Sequence, residues 1–111
     1  MDKAILRGVP VNQGVVTGKV TVLSNYSHIN NMNEGDILVI PNSHPDYALG
    51  VMKAGGLICE EGGRLSHICI VALEMGIPCI TQAKNAMELL RGKDMVMLDA
   101  DEGIVYEIQN R

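Results

Sequence analysis

With 111 residues, 47% of them hydrophobic and 20% charged, the chain has the composition of one globular domain rather than a disordered tract. Nine basic against thirteen acidic residues give a net charge of −4, and no Lys/Arg cluster stands out, which argues against nucleic-acid and membrane-surface binding. The N-terminus lacks a signal-like apolar run and no stretch reaches the roughly 18 apolar residues of a membrane span, so the expectation is a single cytoplasmic domain over residues 1–111.

"AILRGVPV" (4–11) reads as short and extended, and the β-branched "GVVTGKVTVL" (14–23) as a strand. The polar stretch 24–33, which holds His28, is a connection with room for a short helix. "EGD" turns into a buried strand at 37–40, ended by Pro41. Ser43 is the expected N-cap of a helix running to about Lys53, with Pro45 and Asp46 in its first turn. Gly55 and Gly56 stop it ahead of a second buried strand, "GLIC" (56–59). A helix from Ser66 to Met75 follows, closed by Gly76, then the strand "CIT" and a short helix in "NAMELLRG". "DMVML" and "IVYEI" form a hairpin with Gly103 in its turn. Hairpins and strand–helix–strand units together indicate an α/β fold with a mixed sheet.

Cys59, Cys69 and Cys79 sit among aliphatic residues at wide spacing. This is neither a disulfide framework nor a metal knuckle, so buried reduced thiols are expected and no metal site is assigned. Cys69 lies two positions from His67, and residues so spaced do not share a helix face, which argues against a Cys–His catalytic pair.

"EEGGRLSHICIVALEMGIPCI" (60–80) places one histidine, His67, between a glycine pair and a run of apolar residues. The helix it opens is apolar nearly all round, which predicts a buried helix with only its first turn, Ser66 and His67, facing solvent. Gly62 and Gly63 permit a close approach by another molecule. Unpaired N–H groups and the dipole at a helix start favour an anion and disfavour imidazole protonation, so His67 is expected to be neutral and nucleophilic. That combination suits phosphoryl acceptance. A histidine near a helix start also serves as a cap or an ordinary surface group, and glycine pairs are common in loops. The residues alone thus indicate an anion or phosphoryl site at 62–67.

"GGRLSHICIVALEMGIPCI" resembles the signature of the phosphohistidine, or swivelling, domain of phosphoenolpyruvate-utilising enzymes. That family includes phosphoenolpyruvate synthase, pyruvate phosphate dikinase, enzyme I of the sugar phosphotransferase system and rifampin phosphotransferase. "GVPVNQGVVTGKVTVL", "EGDILVIPNSHPDYALGVMKAGGLICEEGG" and "KNAMELLRGKDMVMLDADEGIVYEI" resemble its other segments, in order along nearly the whole chain. The resemblance implies a compact swivelling β/β/α domain whose signature helix follows a Gly-Gly loop. It makes His67 the phosphoryl acceptor, Ser66 its supporting neighbour, and Gly62 and Gly63 the phosphate-binding loop. His28 and His44 match no catalytic position and are expected to be solvated loop residues. ATP and Mg2+, or phosphoenolpyruvate, would be bound on partner domains and no cofactor on this one. The implied partners are an ATP-grasp-like nucleotide-binding domain or protein, and a phosphoenolpyruvate/pyruvate or acceptor-substrate domain.

Four departures bear on activity. Leu65 replaces a threonine, Ile68-Cys69 replace a small pair that would leave a partner more room, Leu73 replaces an arginine, and "TQAK" (81–84) stands where "VG.g" is usual. Exposed apolar residues among Ile29, Met32, Leu65 and Ile68 would supply a docking surface. A phosphoryl carrier, supported by the Gly-Gly and Ser-His pairs, competes with a non-catalytic binding or regulatory module. A dehydratase-type swivelling domain shares the architecture but leaves Ser66-His67 without a role.

Overall fold

The structure, a computed structural model, describes residues 2–108; Met1 and residues 109–111, which the single-domain expectation includes, lie outside the described residues. Eight strands run in the order β1-β8-β7-β3-β4-β5-β6-β2. They are β1 (Lys3–Arg7), β2 (Val9–Asn12), β3 (Val15–Val22), β4 (Ile37–Ile40), β5 (Gly56–Cys59), β6 (Cys79–Thr81), β7 (Met95–Asp99) and β8 (Ile104–Glu107). The helices are α1 (Ala48–Lys53), α2 (His67–Met75) and α3 (Ala86–Leu90).

β3 belongs to two layers. Its first half pairs antiparallel with β7 and its last residues pair parallel with β4. β1, β8, β7 and β3 form an antiparallel layer. β3 to β6 form a parallel one, with β2 antiparallel at its edge. Ile37, Val39, Ile58 and Ile80 pack between the layers against Val96, Leu98 and Val105. Leu38, Ile40, Leu57 and Cys59 face the other way, against Val51 of α1 and Ile68, Cys69 and Ala72 of α2. A strand covered on both faces must be apolar at every position, and "ILVI" and "GLIC" are buried throughout. The α/β fold, with its mixed sheet and β/β/α layering, is therefore the expected one.

Several local expectations change. "AILRGVPV" is two strands at opposite edges of the sheet, separated by Gly8 alone. A Cβ on Gly8 would lie 2.8 Å from the Thr81 carbonyl oxygen, and the Gly8 N–H donates to the Gly103 carbonyl at 2.8 Å. This glycine joins the two layers where the chain passes from one to the other. The N-cap before α1 is His44 rather than Ser43: its Nδ1 accepts from the Asp46 N–H at 3.1 Å, opening a 3-10 turn over Pro45–Tyr47. The His44 ring is exposed, as expected, but stacks on Tyr26 at 4.4 Å. His28 is exposed within the 3-10 segment Tyr26–Asn31.

The expectation of a buried α2 fails. Ile68, Cys69 and Ala72 are buried, but Ile70 and Leu73 on the outer face are 39% and 52% exposed. α2 covers the outer face of one layer beside α1, and nothing among the described residues covers its own outward face, so its apolar composition did not report burial. The expected docking surface shrinks for the same reason. Ile29, Met32 and Ile68 are core residues, and only Leu65, 86% exposed, is on the surface. Ile68 and Cys69 point into the core and do not narrow the approach to His67.

Candidate functional site

β4, β5 and β6 are parallel, so their carboxyl ends open on the same side, where ligands bind in sheets of this kind. Three loops meet there: the segment holding Ser43, the loop Glu60–Ser66, and Gln82–Asn85. Backbone bonds extend the β4–β5 pairing past the strand ends, with the Glu60 N–H donating to Ile40 at 2.9 Å and Glu61 to Pro41 at 3.1 Å. Side chains then fix the next residues. The Cys59 thiol donates to the Glu61 carbonyl at 2.9 Å, and the Thr81 hydroxyl donates to the Gly62 carbonyl at 3.0 Å. Glu60 Oε1 accepts from the Met87 N–H at 2.8 Å, tying the loop to the start of α3.

Gly62 has φ +134°, a conformation that L side chains rarely adopt. Space is not what demands glycine there, since a Cβ would lie 3.4 Å from Ser43 Oγ and 3.6 Å from Ser66 Oγ. Two hydroxyls therefore converge on the bare face of Gly62. Ser43, displaced as a helix cap, is one of them, and the sequence offered no long-range signal for this. Gly63 is exposed, has no left-handed φ, and would have nothing within 4 Å of a Cβ placed on it. The glycine pair is thus one conformational requirement and one open neighbour.

Ser66 is the N-cap residue of α2 in an extended conformation, but its side chain makes no capping bond. Its Oγ is buried without a partner in hydrogen-bond geometry. His67 is the first helical residue and is exposed. Among the described residues the N–H groups of His67, Ile68 and Cys69 have no acceptor, the first helical bond being Ile70 to Ser66 at 3.0 Å. The exposed imidazole is thus carried by the residue that opens α2, whose first three amides are unpaired, and the dipole of that helix start favours an anion nearby. His67, Ser66 and Gly62 come together, with Gly63 in the adjoining turn. Neither His28 nor His44 belongs to this loop cluster.

Beneath the site lie the three cysteines, all buried and free. Leu57 pairs with Cys79 across β5–β6, which puts Cys59 and Cys79 on one face, and α2 lays Cys69 over it. The neighbouring Cys79 thiol lowers Cys69 to about 6 against the opposing effect of burial. Burial, then the charge of Cys69, pushes Cys59 up to about 12. Cys79, whose thiol donates to the Ile80 carbonyl at 3.9 Å, is raised as well, chiefly by the neighbouring Cys69 and then by burial. If one thiol ionises it is Cys69. The ten-residue spacing gave no hint that three separate elements would bring these sulfurs together.

A groove of about 550 Å³ lined by Val11, Arg64, Leu65, Leu73 and Gln82 flanks the loop on one side. A second, of about 630 Å³, is lined by Glu60, Glu61, Gly62, Gln82, Lys84 and Asn85. Among the described residues no group of three or more His, Cys, Asp or Glu is arranged to hold a metal ion. No helix among them is long and apolar enough to cross a membrane.

Residues 32–103 match the family described as PEP-utilising enzyme, mobile domain. The chain is 37% identical over 105 residues to phosphoenolpyruvate synthase of Pyrococcus furiosus, covering 95% of this chain but 13% of that protein. Among solved structures, Enzyme I aligns with a TM-score of 0.58 at 25% identity, over 69% of this chain and 32% of that one. Aconitase X of Thermococcus kodakaraensis aligns with a TM-score of 0.68 at 18% identity, covering 94% and 98% of the two chains. That last likeness shows a shared fold alone.

Proposed function

Because this chain belongs to the mobile-domain family of phosphoenolpyruvate-utilising enzymes, we propose that its His67 imidazole carries a phosphoryl group between two partner sites. One observation carries the reading: an exposed imidazole beside three unpaired helix amides, on a loop held by buried side chains. In the forward step an imidazole nitrogen attacks phosphorus. The N–P bond forms as the P–O bond to the donor breaks, and the donor oxygen leaves with the electron pair. The other ring nitrogen releases its proton to leave a neutral ring bearing the phosphoryl group. Attack by an acceptor oxygen then reverses the sequence and frees the imidazole. The helix start stabilises the anion on His67 by about 0.3–1 kcal/mol, more where solvent is excluded.

The donor is derived from ATP or phosphoenolpyruvate, and the nucleotide, its Mg2+ and the acceptor are held by partner domains. The small share of the relative that this chain spans supports that division, since the rest of that protein is other sequence. Where carrier and sites share a chain, tethering raises the local concentration of His67 to about millimolar. Leu65 and Leu73 supply an apolar rim to the approach.

The test is incubation with labelled ATP or phosphoenolpyruvate and the complementary domains of a phosphoenolpyruvate synthase, comparing wild type with His67→Ala. Acid-labile, base-stable label lost in the variant is the expected result. Label unaffected by H67A would leave the chain a binding or regulatory module.

A further inference from the structure

Three features single out Gln82. It has φ +53° in the left-handed region, which a side chain such as glutamine rarely adopts. Its side chain is exposed, and among the described residues the carboxamide makes no hydrogen bond. It also lines both grooves flanking the Gly62–Ser66 loop. The conformation is imposed from either side. Thr81, fully buried, is pinned to Gly62, and Ala83, also buried, donates its N–H to the Cys59 carbonyl at 3.2 Å. A strained residue persists where its surroundings over-determine it, and such outliers gather at binding and active sites. Here the strain sets an unpartnered carboxamide where two openings meet, and Arg64 lines one of them.

We infer that the Gln82 carboxamide recognises the phosphate-bearing molecule that exchanges its phosphoryl group with His67, donating a hydrogen bond to an anionic oxygen while Arg64 supplies charge. This rests on the phosphoryl-carrier reading. The ligand class is a phosphate monoester or related phosphoryl compound, and Gln82 is a positioning residue that takes no part in bond making.

The test uses phosphoramidate, a small donor that needs no partner protein: a His67 nitrogen displaces ammonia at phosphorus. The full chain, His67→Ala, Gln82→Gly and Gln82→Asn are compared by initial rate of phosphohistidine formation and by thermal midpoint. Glycine accepts the left-handed conformation without strain, so Q82G raises the midpoint. At the same time it slows transfer by about tenfold, the loss expected for one hydrogen bond to a charged group. Asparagine tolerates the same conformation and keeps a shorter carboxamide, so Q82N recovers part of the rate. A Q82G protein with a higher midpoint and unchanged rate would overturn the inference, as would a lower midpoint, which would make Gln82 structural. If wild type takes up no phosphoryl group, or H67A takes up as much, the carrier reading itself falls before any Gln82 variant is compared.

Discussion

Replacing each glycine of the Gly62–Gly63 pair by alanine separates backbone need from mere openness. Gly62→Ala forces a Cβ onto a residue at φ +134°, where the nearest atom would be 3.4 Å away. Contact is ordinary there, so the cost is conformational, about 1–3 kcal/mol. Gly63→Ala meets nothing within 4 Å and no left-handed φ. It removes freedom from the unfolded chain instead and stabilises by about 0.4–1 kcal/mol. For 111 residues the unfolding entropy is about 0.23 kcal/mol/K, so 1 kcal/mol moves the midpoint by about 4 °C. Thermal unfolding followed by circular dichroism should therefore place G62A about 4–13 °C below wild type and G63A about 2–4 °C above it. Equal shifts for the two variants would refute the distinction drawn between them, and with it the claim that Gly62 shapes the loop under His67.

Thr81→Val removes the 3.0 Å bond to the Gly62 carbonyl. It should cost about 1 kcal/mol, with faster amide hydrogen exchange confined to the 60–66 loop and the start of α2. Stability should rise with pH between about 6 and 9, because Cys69 is held at about 6 in the folded chain against an ordinary value of 9.0. The ionised form is favoured by folding, so this contribution is complete above the ordinary value and lost as pH falls through 6. Above 9 the sign reverses, since Cys59 at about 12 keeps its proton in the folded state. Denaturant titrations across that range, with Cys69→Ala lacking the rise, check both statements. Leu38→Ala, at a fully buried position facing the helices, should cost about 2–5 kcal/mol by the same titration.

Strand identity was legible wherever burial on both faces forces continuous apolarity, as in "ILVI" and "GLIC". Helix α2 was legible at both ends, because Ser66 and Gly76 answer local backbone needs: an extended cap at one end and φ +73° at the other. Its orientation was not. A helix with no polar stripe carries no period from which to choose a face, so Ile70 and Leu73 looked like core and are half-exposed. The edge-to-edge passage through Gly8, Ser43 facing Gly62, and the meeting of three thiols are all long-range. Each depends on strand order and register, which local pattern does not encode. The His44 cap was missed for another reason: a ring nitrogen can accept the bond that serine was expected to accept. Gln82 was visible only as a departure from the family pattern, and its left-handed backbone had no sequence signature.

Site-localised mass spectrometry of the phosphorylated chain, handled at alkaline pH to preserve the N–P bond, tests the central claim most directly. The phosphoryl group should be found on His67, the one histidine at the start of α2. Finding it instead on His28, His44 or a hydroxyl residue would contradict the account.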